Sequence, residues 1–278
     1  MNKLFIMSLR AKHRSEGTIR EYTKAIESCI SYVNKPESEI KPIDLELWQS
    51  SMSNLSSASV AQRISAVREY FKFLYRNEFI SRNPAEMLEA PQIKNREQSA
   101  LNGEQVRAMV NAATNLRNKA IIMMLVQTGL RIHELANITI EQYESRSNNV
   151  LVIRGKGDKD RLVGLADETI KLIDSYIANE RKDGCEYLFV GNRGNKMDGK
   201  NTSAMLKVCA RKAGIENWEE LHISNHTMRR TFATMMSEAD VPIEVISKAM
   251  GHSGIAITSR YVKRTEQRAV NAMSVVNF

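Results

Sequence analysis

Val60, Ile64, Val67, Phe71 and Leu74 recur at steps of four, three, four and three within SASVAQRISAVREYFKFLYRNEF. That spacing lines them along one side of an α-helix and leaves Arg63, Arg68, Lys72 and Arg76 mostly off the apolar stripe. Ser56 or Ser57 supplies an N-cap. Upstream, Ile19, Tyr22, Ile26, Ile30 and Val33 repeat at three- and four-residue steps across 15–34, which predicts another helix. Pro42 opens a third, at the first turn, where a missing N–H is no loss. Asn83 and Pro84 break the pattern, and a last short turn is expected to end near Glu89. The stretch APQIKNREQSA that follows has almost no apolar content and reads as an extended linker. The expected organisation is a helical unit over 1–90, a linker over 91–100 and a second domain over 101–278.

In the second domain, Asn102 and Gln105 form a capping-box pair ahead of Val106, Met109, Val110 and Ala113. LRNKAIIMMLVQTGL is apolar on nearly all sides from Ala120 to Val126, the mark of a buried central helix, stopped at Gly129. RIHELANI then resumes helical spacing. The period changes at NVLVIRGKGDKDRLVGL, where two β-rich runs, 150–153 and 161–165, flank a Gly-Lys-Gly-Asp centre and predict a hairpin. A helix from Asp167 to about Arg181, a short strand over 187–190 and a helix from about Thr202 to Ala213 follow. The fold class expected is mainly α, with a small antiparallel β-sheet in the C-terminal domain.

Charge changes the picture next. The 278 residues hold 40 Lys+Arg against 32 Asp+Glu, net +8, with a pI near 9.4. This surplus suits a polyanionic partner, and the cationic helix over 57–79 fits phosphate contact as well as it fits an ordinary solvated face. Three cysteines, Cys29, Cys185 and Cys209, are odd in number and unpaired in spacing, which argues against a disulfide framework or a structural zinc site. The opening MNKLFIMSLRAKHR is too short in apolar residues for a signal segment, and no later stretch approaches a membrane span. A cytoplasmic, nucleoid-associated protein without a membrane partner is expected.

The densest candidate chemistry lies in SNHTMRRTFATMMSEADVPIEVISKAMGHSGIAITSRYV, residues 224–262. His226 and Arg229 stand three apart, on one face of a helix. His252 follows Gly251, and Tyr261 stands nine residues later. Taken singly each has an ordinary explanation: Arg131 as a carbonyl cap after a helix stop, Lys156 as a solvated hairpin charge, His226 as part of a helix start, Tyr261 as a half-buried core tyrosine. Together their types answer one demand, work on phosphate.

TGLRIHEL, GKGDKDR, HTMRRTFAT, MGHSGIAIT and RYV resemble the successive motifs of the tyrosine recombinase (phage integrase) family, in the order and spacing of its Xer-type members. The match spans about residues 100–270, and the N-terminal unit is similar, more weakly, to the family's core-binding domain. The resemblance implies Tyr261 as nucleophile, Arg131 and Arg229 as phosphate clamps, Lys156 as general acid, His226 and His252 as the two active-site histidines, and Glu134 as a structural support. Arg230 departs from the pattern, since many relatives carry a histidine there. With Lys159 and the arginines and lysine of the cationic helix, it is a candidate DNA contact.

The chemistry fits these roles. A phenol with a pKa near 10 needs its proton removed or its anion stabilised to attack at neutral pH, and arginine forks meet charge growing on non-bridging oxygens. The expected product is a 3′-phosphotyrosine link that stores bond energy for rejoining, so neither ATP nor a metal is required and no cofactor is expected. The implied partners are double-stranded DNA at a specific site and a homo-tetramer on two such sites. Val270, Met273 and Val276 suit a C-terminal helix docked on its own domain. The resemblance implies one donated to a neighbouring protomer. Mobile-element integration, type IB topoisomerase-like relaxation and a silent DNA-binding protein are the alternatives to Xer-like dimer resolution.

Overall fold

The structure is a computed structural model that describes residues 2–92, 100–154, 160–252 and 258. It divides into two compact units, 1–96 and 97–278. The first contains α1 (Asn2–Ala11), α2 (Glu16–Val33), a 3-10 turn at Glu37–Glu39, α3 (Pro42–Ser50) and α4 (Ser57–Arg76). All five stripe residues of α4 are buried, with Ile64, Phe71 and Leu74 fully so. They pack with Ile19, Ile26 and Trp48 into one core. Ser15 and Ser56 cap α2 and α4, each accepting a backbone N–H three residues on. α1 was not anticipated from the sequence. Its contribution is a short i, i+4 pair, Phe5 and Leu9, buried against the α4 aromatics, with Phe5 edge-on to Tyr70 at 5.3 Å. Arg68, Lys72 and Arg76 are exposed on α4 at four-residue intervals and line a shallow groove, whereas Arg63 is half-buried beside Met52.

The second unit contains α5 (Gly103–Ala112), α6 (Leu116–Thr128), α7 (Ile132–Asn137), α8 (Ile140–Glu144), β1 (Val150–Arg154), β2 (Asp160–Gly164), α9 (Asp167–Asn179), α10 (Gly199–Lys212), α11 (Asn225–Glu238) and α12 (Ile243–Met250). As the all-round apolar pattern predicts, α6 is the centre of the core, with α5, α9 and α11 packed around it. β1 and β2 pair antiparallel in the register Val152↔Leu162, with Leu151, Ile153 and Val163 facing inward. The expected strand over 187–190 is reduced to isolated antiparallel bridges, Tyr187 with Thr139 and Val190 with Lys196. Leu188 and Phe189 are buried, but the segment bonds to the α7–α8 connection, with Leu188 N–H to Ile138 O at 2.8 Å and Ile140 N–H to Glu186 O at 2.8 Å. A β-rich apolar run is satisfied here by a loop in place of a strand. Among the described residues no helix is long and apolar enough to cross a membrane.

Gly129 is the junction that sets the site. It ends α6 in the left-handed region at φ 60°, its N–H closing on Leu125 O. A Cβ there would lie 2.4 Å from Phe232 Cδ1. Gly129→Ala is therefore expected to destabilise the protein by about 2–4 kcal/mol, combining left-handed strain with overpacking. Denaturant unfolding checks this, and an unchanged midpoint would refute the close contact.

Candidate active site

Two helix C-termini meet the candidate residues. α12 ends in a Schellman turn: Gly251, at φ 64°, donates to Lys248 O, and His252 N–H donates to Ser247 O, both at 3.0 Å. That geometry leaves the outward carbonyls of Met250 and Gly251 to be met from elsewhere. Arg229, on α11 and only 4% exposed, donates Nη2 to Met250 O at 2.6 Å and Nη1 to Gly129 O. Arg131 donates Nη2 to Gly251 O at 3.2 Å. The arginines thus act as carbonyl caps, the ordinary role available to them, and that capping is what brings both guanidinium groups to one turn.

Glu134 fixes Arg131. Its carboxylate accepts the Arg131 backbone N–H at 2.6 Å, one half of a capping box at the start of α7, and Arg131 Nη1 at 3.1 Å. The same carboxylate takes a two-pronged bond from Arg161 on β2, at 2.9 and 2.7 Å. Burial alone would raise the Glu134 pKa. The Arg161 fork, the Arg131 N–H and both positive charges outweigh it and hold the carboxyl at about 2. Glu134 is 3% exposed and ionised throughout the neutral range.

α11 is anchored at its start by Asn225 Nδ2, which donates to Gly199 O and Ser203 Oγ of α10, and by the Thr227 hydroxyl donating to His222 O at 3.2 Å. His226 stands in this first turn, exposed on one side. Partial desolvation, then the charges of Arg230, Arg229 and Arg131, push its pKa below the usual histidine range. His252 is half-buried, with Nδ1 2.7 Å from Thr258 Oγ1. Desolvation, followed by Arg229, Arg131 and Arg161, lowers it to about 4. Both imidazoles are accordingly neutral at pH 7, able to accept a proton or to share one.

The structure brings Arg131, Glu134, His226, Arg229 and His252 into one electrostatic neighbourhood. Arg230, taken from the sequence as a candidate DNA contact, is 7% exposed and donates Nη2 to Thr227 Oγ1 at 3.2 Å, so its charge acts on His226 from inside the unit. Lys156, Lys159, Tyr261 and the C-terminal tail lie outside the described residues. Arg161 was missed as a site residue, although it closes the GKGDKDR motif. A strand arginine facing inward beside an ionised helix-start glutamate is the signal that could have found it. Among the described residues no group of His, Cys, Asp or Glu could hold a metal ion.

A folded state that keeps both histidines neutral loses stability as pH falls. The unfolded chain takes up their protons near 6.5, while folded His252 resists until about 4. Unfolding free energy should therefore decline from pH 6.5 towards 4, and His252→Asn should flatten that decline to the share left by His226. Denaturant titrations at several pH values check this. An identical slope in the variant would contradict it.

The family profile described as Phage integrase family matches residues 99–268, and that described as Phage integrase, N-terminal SAM-like domain matches residues 3–78. Tyrosine recombinase XerA of Pyrococcus horikoshii is 30% identical over 272 residues, 97% of this chain and 90% of the relative. A crystal structure of XerA recombinase is 26% identical with a TM-score of 0.55, covering 100% of this chain and 98% of that one. The XerH site-specific recombinase bound to a palindromic difH substrate shares the fold, with TM-score 0.75, 21% identity and coverage of 92% and 79%.

Proposed function

Because the chain belongs to the phage integrase family and is an Xer-like tyrosine recombinase, an enzyme that cleaves and rejoins DNA at specific sites, we propose that its reaction runs through the residues gathered at the α12 turn. In this reading Tyr261 Oη attacks the scissile phosphorus, the 5′-oxygen leaves with a proton from Lys156, and a 3′-phosphotyrosine bond forms as one phosphodiester breaks. The 5′-hydroxyl of a partner strand then reverses the displacement, so the number of ester bonds is conserved and no energy source is consumed. Arg131 and Arg229 meet the charge on the non-bridging oxygens, and neutral His226 and His252 handle the phenol proton and the phosphate.

The observation that supports this assignment best is the pair of guanidinium groups fixed on one turn by Gly129, Met250, Gly251 and Glu134. A guanidinium held before the substrate arrives needs little reorganisation in the transition state. Duplex DNA is the partner, with the exposed Arg68, Lys72 and Arg76 row on α4 and the hairpin Lys159 as backbone contacts. Four protomers on two sites, joined by exchange of the C-terminal helix, are the assembly, and resolution of chromosome or plasmid dimers is the role. The DNA-bound XerH neighbour of the same fold supports the partner.

The test begins with selection of bound duplexes from a random library, which supplies the site. Two labelled copies of that site are then incubated with the protein. Recombinant products of both label combinations are expected. Relaxation of supercoiled plasmid without any exchanged product would favour the topoisomerase-like reading and overturn this one.

A further inference from the structure

Two arginines converge on Glu134, yet only one of them has a role in the reaction proposed above. Arg161 lies on β2, 27 residues from Glu134, and its guanidinium fork occupies both carboxylate oxygens at 2.9 and 2.7 Å. Its side chain is 11% exposed, and among the described residues its Nε is buried without a hydrogen-bond partner. It also packs flat under the α12 turn: a Cβ on Gly251 would meet Nη1 at 3.0 Å and Cδ and Cζ at 3.4 Å. Burying this charge with one donor unmet is costly, and a core of ordinary apolar residues would avoid it. The arrangement has a clear electrostatic consequence. An ionised Glu134 beside Arg131 alone would cancel most of that arginine's field, leaving little for a phosphate. With Arg161 as the principal partner of the carboxylate, the trio keeps a net positive charge while Glu134 still holds Arg131 by its N–H and Nη1.

We propose that Arg161 is a positioning residue that serves as the counter-ion of Glu134, so that Glu134 orients Arg131 without neutralising it towards the scissile phosphate. The proposal rests on the reading of Arg131 as a phosphate clamp. The planar fork also fixes the geometry on both carboxylate oxygens, whereas an ammonium would supply the charge without that fixed geometry.

The test uses the full-length chain and a nicked suicide duplex carrying the selected site. The readouts are the single-turnover rate of covalent adduct formation at saturating protein, and the duplex affinity by gel shift. Arg161→Gln keeps bulk under Gly251 and a hydrogen bond to Glu134 but drops the charge. It is expected to slow adduct formation by about one to two orders of magnitude with little change in affinity. Adding Glu134→Gln removes the charge that Arg161 offset, and the double variant is expected to form adduct faster than Arg161→Gln alone. Arg161→Lys, which retains charge and guards against a misfolded glutamine variant, is expected to lose much less than Arg161→Gln. A wild-type rate in Arg161→Gln, a double variant no faster than the single, or equal losses in the lysine and glutamine variants would each overturn the proposal. Arg131→Ala separates the two levels: if it cleaves normally the clamp reading itself fails, whereas its loss beside an active Arg161→Gln sinks only the counter-ion role.

Discussion

Replacing Arg229 with alanine is expected to lower strand cleavage by at least about two orders of magnitude and, separately, to cost the fold about 2–4 kcal/mol. The two effects share one cause. The guanidinium is 4% exposed and donates to Gly129 O at the end of α6 and to Met250 O at the end of α12. Its removal leaves two helix-end carbonyls short of a donor in a buried region, where each such loss costs about 1–3 kcal/mol. Lysine does not restore both, because a single ammonium on a flexible stem lacks the planar fork that spans two acceptors. Arg229→Lys should thus recover part of the stability and little of the rate. Denaturant unfolding gives the first quantity and single-turnover adduct formation the second, at a temperature where circular dichroism shows the variants folded. Cleavage and duplex affinity falling by the same factor would reduce Arg229 to a binding residue.

Tyr261→Phe is expected to abolish the covalent protein–DNA adduct while leaving site affinity near that of the native chain. A phenyl ring keeps the bulk of the side chain and removes the one oxygen that can attack phosphorus. On a nicked suicide duplex the native chain should accumulate a slow-migrating, protease-sensitive adduct, and the variant none. Adduct formed at the native rate by Tyr261→Phe would move the nucleophile elsewhere. Adduct loss together with loss of binding would point to a structural role for the ring. The result expected, binding without adduct, assigns the chemistry to Tyr261 by its oxygen alone.

What could be read from the sequence follows the strength of each local signal. The four–three–four–three stripe of α4 and the all-round apolar run of α6 predict their own burial, because long periodic patterns leave few alternative packings. Arg131, His226, Arg229 and His252 were legible as a set, since their spacing resembles a known succession of motifs. The short elements were not. α1 rests on Phe5 and Leu9, a single i, i+4 pair, and its helix is stabilised by packing on the α4 aromatics more than by its own composition. α8, five residues long, was equally invisible. The run at 187–190 has strand-like residues but its partner is a loop, a fact that lives in tertiary contacts and not in local period. Arg161 escaped because its meaning depends on a carboxylate 27 residues away. Arg230 was read as a candidate DNA contact; that its side chain is 7% exposed is a matter of tertiary packing, which residue type and motif position do not show.

The arginine caps at the ends of α6 and α12 also tie the site to the completed fold. Arg131 reaches Gly251 across 120 residues and Arg229 reaches Gly129 across 100. Contacts closing loops of that length carry a large entropic cost and form only once the intervening chain has condensed. A nascent or partly unfolded chain therefore has its arginines but not their convergence, which needs α6, α7, α11 and the α12 turn in place together. For an enzyme that cuts and rejoins DNA, folding then acts as a lock: the two guanidinium groups are held together only in a molecule whose second unit is finished.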